Sequence, residues 1–137
     1  MAVELPIVRH FIACREIVYD SGGQNVSLKH LVSAILPLPG EQYPLIRDEM
    51  ALFAVLTNGR GKYDFALELT RFEAGEEVRV VGTPSRAVDL GQDPAAILGM
   101  PIPLRNIVFE QPGQYTFRLL CNETVIAEEK ILLREAP

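Results

Sequence analysis

The chain has 137 residues, 48% of them hydrophobic and 23% charged, with a net charge of −5. A chain of this length buries about 68% of its unfolded surface without metal or disulfide staples, so residues 1–137 read as one domain. The acidic balance, with 13 scattered basic residues, argues against a nucleic-acid backbone as partner. No stretch approaches the roughly 18 apolar residues that a membrane helix needs.

At the N-terminus, Arg9, His10, Arg15 and Glu16 interrupt the one apolar run, so no secretory leader is read there and the expected location is cytoplasmic. In that compartment Cys14 and Cys121 are expected as two buried thiols rather than a bridge. FIACREIVYD is an extended run ended by Ser21-Gly22-Gly23. SLKHLVSAI follows, with Leu28, Leu31, Val32 and Ile35 at helical spacing. Its neighbours have sheet patterning, and a short apolar run is ambiguous, so a strand is expected. IRDEMALF is rich in helix formers, which favours a helical flank before the strand it leads into.

Period-2 alternation then dominates. GKYDFALELTRF puts Tyr63, Phe65, Leu67 and Leu69 on one face, as a half-buried antiparallel strand requires. Asn58-Gly59 ahead of it is a strong hairpin signal, predicting that residues 50–57 pair with 62–72. EEVRVV and PLRNIVFE add two further extended runs. Between them, Asp93 as cap, Pro94 at the first helical position and Gly99 as stop predict one helical turn over DPAAILG. A second hairpin is expected in the last third, YTFRLLC and TVIAEEKILL turning at Asn122-Glu123. The sum is an all-β protein: an immunoglobulin-like antiparallel β-sandwich of about seven or eight strands, with at most one or two short helical turns.

In QPGQYTF, Gly113, Tyr115 and Phe117 are spaced like the G-x-Y-x-C of immunoglobulin-type sandwiches, where the tyrosine hydroxyl bonds to backbone upstream. Phe117 stands in place of the cysteine, and the chain has no tryptophan. Beyond this corner, FIACREIVYDSGGQNVSL, LTNGRGKYDFALEL and PGQYTFRLLCNETVIAEEKILL together resemble an uncharacterised family of small bacterial single-domain proteins. That resemblance implies a cytosolic β-sandwich and implies no activity.

Catalytic and metal chemistry find little support in these residues. His10, His30, Cys14 and Cys121 show no ligand spacing. On a strand His10 and Cys14 lie about 13 Å apart, too far for proton transfer. Glu76-Glu77 and Glu128-Glu129 are neighbours whose side chains face opposite ways on a strand, so they read as solvated charges rather than catalytic pairs. Arg60 and Lys62 flank a turn and can grip an anion, as exposed turn residues commonly can. No cofactor, metal or catalytic residue is expected.

Residues 89–106 are harder to dismiss, being long and apolar, with prolines at 94, 101 and 103. Either the segment shields a sheet edge, or its apolar residues stay exposed and bind a protein partner or a second copy. In the second case Ile97, Met100 and Ile102 form the contact core, and Asp93 and Arg105 the polar rim. The expected function is a non-catalytic protein-interaction module. The alternative is a small-ligand binder using a pocket at one end of the sandwich.

Overall fold

The computed structural model describes residues 4–22 and 25–136. Gly23 of the predicted stop after the first strand lies outside them. Ten strands follow one another: β1 (Ile7–Tyr19), β2 (Val26–Leu31), β3 (Ala34–Ile35), β4 (Leu45–Thr57), β5 (Lys62–Glu73), β6 (Glu76–Gly82), β7 (Arg86–Asp89), β8 (Leu98–Phe109), β9 (Gly113–Cys121) and β10 (Thr124–Leu133). No helix occurs among the described residues. One sheet has the order β2-β1-β4-β8 and the other β3-β10-β9-β5-β6, with β7 continuing the line of β6 beside β5. Every pairing is antiparallel except β3 on β10.

Alternation builds the core as expected. Met50, Leu52, Ala54 and Leu56 of the first sheet face Phe65, Leu67, Leu69, Phe117 and Leu119 of the second, all buried. Burying each of the methionine, leucine and phenylalanine side chains contributes about 1.5–3 kcal/mol. Tyr115 is 1% exposed, with its ring edge-on to Phe109 at 5.2 Å between centroids. Its hydroxyl donates to the carbonyl of Gln111 at 2.6 Å, closing the Pro112-Gly113 corner between the sheets. Removing that hydroxyl by Tyr115→Phe leaves the Gln111 carbonyl unpaired, and chemical denaturation should show a loss of about 1 kcal/mol with the fold intact.

Three local expectations fail. Asn58-Gly59 is no hairpin turn: β4 lies in one sheet, held by β1 and β8 on its two edges, while β5 lies in the other. The link from 58 to 61 instead crosses between sheets. Asn58 takes φ 63° and donates its N–H to Pro94, and Gly61 exchanges backbone bonds with Gly91 and Leu90. Gly59 is needed for space, since a Cβ there would meet the Leu90 side chain at 2.6 Å. IRDEM is strand, because β4 runs unbroken from Leu45 along β8. DPAAILG makes only a turn: the Asp93 carboxylate accepts from Ala95 N–H at 3.0 Å and its carbonyl from Ala96 N–H at 3.1 Å. From Leu98 the chain pairs with β4, and that ladder outcompetes the expected helical turn.

The strand count exceeds the expected seven or eight for a related reason. SLKHLVSAI is extended but divided, β2 edging one sheet and β3 the other, with the crossing at 32–33. His30 has φ 57°, which turns the chain. The helical spacing of its apolar residues arises from this change of face: Ile35 is buried while Leu31 is 65% exposed. The hairpin at Asn122-Glu123 forms as predicted, both residues at positive φ. Asn122 also accepts from Asp64 N–H at 2.9 Å, tying the turn to β5.

Candidate functional site

The chemistry-bearing residues are dispersed. His10 and His30 are exposed on β1 and β2, and Cys14 and Cys121 are free and buried on different sheets. Burial raises both thiols, that of Cys121 to about 11, so each is neutral at ordinary pH. Among the described residues no three His, Cys, Asp or Glu side chains gather into a metal cluster. Arg60 borders a cleft of about 280 Å³ at one end of the sandwich with Glu4, Asn58 and Tyr63. The groups there already serve one another: Tyr63 donates to the Glu4 carbonyl at 2.9 Å and accepts from Arg60 N–H at 3.0 Å. Through Glu4, this cleft ties the chain ahead of β1 to β5.

Adjacent glutamates do face opposite ways, with a result that spacing alone missed. Glu128 points outward, where Arg118 joins it to Glu77 of β6. Glu129, opposite Phe117 in the ladder, is half-buried rather than solvated. Burial raises its carboxyl above the ordinary range, partly offset by N–H groups of Ala13 and Lys130. A carboxyl raised on folding favours the folded state when protonated, so its stabilising contribution falls as pH rises from the ordinary glutamate value through the folded one. Glu129→Gln keeps an acceptor for Ala13 and removes the charge. Thermal melts across pH 4–8 should show a higher melting temperature at neutral pH and a flatter profile than the parent.

From Leu98 the 89–106 segment pairs along β4 and is itself the outer strand of its sheet, so it covers the edge of β4 by joining the sheet. Pro101 and Pro103 stand opposite Phe53 and Ala51. Proline survives in a sheet only where its missing N–H faces away from the partner strand, so both blunt the open edge. Of the proposed contact core, Ile97 is 58% exposed, but Met100 and Ile102 turn inward and pack on the core. Asp93 closes the preceding turn, and Arg105 lies seven residues beyond Leu98, about 23 Å along the strand. The five residues therefore form no single patch.

What the fold does assemble is an opening on that side. Two edge strands, β8 and β6, border a groove of about 430 Å³ between the sheets. Leu67, Leu69, Leu104, Ile107 and Phe117 lie along it, so its lining is mostly apolar. Val81 stands at its wall, 54% exposed. Arg105 and Glu110 lie on the β8 side. Sequence reasoning reached one wall, through Arg105. The other needed the knowledge that β6 ends its sheet, and the valines at 78, 80 and 81 were the available signal.

These features define the class: a two-sheet, all-β sandwich with one open, apolar side. The chain belongs to a family of unknown function, DUF6941, whose model matches residues 22–134. No curated protein matches it. Among solved structures it is similar to the Pseudomonas fluorescens alkylpurine DNA glycosylase AlkC, bound to DNA containing an abasic site analog. That match has a TM-score of 0.57 and 12% identity, and covers 97% of this chain but 31% of the glycosylase chain. At that identity the likeness is one of fold. Among the described residues no helix is long and apolar enough to cross a membrane.

Proposed function

We propose that the protein is a non-catalytic interaction module of the bacterial cytoplasm, whose protein partner docks on the open side between β6 and β8. The observation that carries this reading is the apolar groove bounded by Val81 and Leu104. On this side Val81 is 54% exposed and Leu104 and Ile107 are only partly buried. The Tyr115–Gln111 bond supports an immunoglobulin-like assignment, as does the Gly113-x-Tyr115-x-Phe117 spacing. DNA binding, which the AlkC complex brings to mind, is opposed by the net charge of −5.

The test is co-purification of tagged protein from the native host, with Val81→Arg as control. Val81 is more than half exposed, so the variant should melt at the parent temperature. The parent should bring down one protein in stoichiometric amount that the variant loses. An identical set of proteins from both would overturn the reading.

A further inference from the structure

We infer that the outer face of the first sheet pairs with the same face of a second copy of the chain, sheet on sheet about a two-fold axis. This goes beyond the groove, which opens between the sheets rather than on their outside.

Alternation places the residues. Leu52 and Ala54 of β4 face the core, so Ala51, Phe53 and Val55 face out. Residues directly opposite in an antiparallel ladder share a face. Phe53 therefore stands outward in a row with Ile12 of β1 and Pro101 of β8, and Ala51 in a row with Cys14 and Pro103. Leu31 of β2, opposite Cys14, extends the second row and is 65% exposed. Neither Cys14 nor Ala51 belongs to a core cluster, in keeping with their outward placement.

Charge is absent from this field. The outward face of an antiparallel sandwich is ordinarily its polar one. The second sheet follows that rule: Arg118 stands outward between Glu68 and Glu128 in one row and is joined to Glu77 as well. On the first sheet the rows of Phe53 and Ala51 carry no charged side chain from one edge to the other. Charges return in the next row, with Glu16 beside Lys29 and Glu49 beside Arg105.

Shape and area select the occupant. The tip of the Phe53 ring covers Gly99, where a Cβ would lie 2.6 Å from it, so the ring lies along the sheet instead of standing off it. A flat apolar sheet face is covered by another sheet about 10 Å away. From Thr57 to Glu49 and across four strands the face measures about 27 Å by 19 Å, so two copies enclose about 1,000 Å². That is the area from which specific interfaces begin. The apolar rows hold no charge that would select a foreign surface, and copies opposed about a two-fold axis bury none.

Analytical ultracentrifugation of the full chain tests this. The parent should pass from monomer to dimer with a midpoint in the micromolar range. Phe53→Lys should weaken that midpoint at least tenfold. Pro101→Lys changes an exposed position that has no ladder N–H to lose. It should weaken the midpoint equally at the parent melting temperature, and it decides the matter if Phe53→Lys unfolds. Val81→Arg in the groove and Leu132→Lys on the outer face of the second sheet should dimerise like the parent. A parent still monomeric at millimolar concentration would overturn the inference, as would Pro101→Lys with the parent midpoint. So would a midpoint lost in Val81→Arg or Leu132→Lys. A monomeric parent that co-purifies a protein lost by Pro101→Lys would give the face to a foreign partner instead of a second copy.

Discussion

Replacing Phe117 by alanine should cost about 3–5 kcal/mol, the largest effect expected of any single substitution considered for this protein. Phe117 is 1% exposed, paired with Leu69 across the β5–β9 ladder and with Glu129 across β9–β10. It sits in the cluster that includes Leu52, Phe109, Tyr115 and Ile131, with atoms from both sheets around its ring. Truncation removes the ring's transfer energy and leaves a cavity that two laddered sheets cannot close by collapsing. Urea denaturation with an unchanged slope and a much lower midpoint is the expected readout. A loss under about 1 kcal/mol would place Phe117 outside the core.

The second large effect concerns Met100→Ser with Ile102→Ser. Both side chains point inward from β8, Met100 onto the cluster of Leu56 and Phe65, and Ile102 onto both clusters. Serine at these positions removes apolar contacts and places hydroxyls against the core, for a combined loss of about 3–5 kcal/mol. The melting temperature should fall clearly, and any loss of partner binding should follow unfolding. Retained stability with lost association would instead make these two residues an exposed contact surface.

That contrast shows what a sequence does and does not disclose. Strand alternation is local and needs no knowledge of the partner strand, so the inward faces of β5 and β9 and the all-β class were legible from Tyr63 to Leu69 and Tyr115 to Cys121. The Asn122-Glu123 turn was legible because its two positive φ angles and its strands are contiguous. Asn58-Gly59 carries the same local signal but joins strands of different sheets, and no residue between 50 and 72 records that β1 and β8 already occupy the edges of β4. The prolines at 101 and 103 correctly marked an edge. That they sit on the edge strand itself, with Met100 and Ile102 turned inward between them, depends on the register with β4. The groove was invisible for the same reason: its walls, β6 and β8, come together only through the order of strands in two sheets. Glu129 joined them, since nothing near it in the chain says that it faces Ala13.

The most direct test of the groove as the working surface is site-specific photocrosslinking in the native host. A benzophenone amino acid replaces Val81 on the groove wall or, in a second variant, Val125 at the start of β10, 54% and 42% exposed respectively. The groove account predicts one discrete protein adduct from position 81 and none from position 125. No adduct from position 81, or the same adduct from both positions, would contradict it.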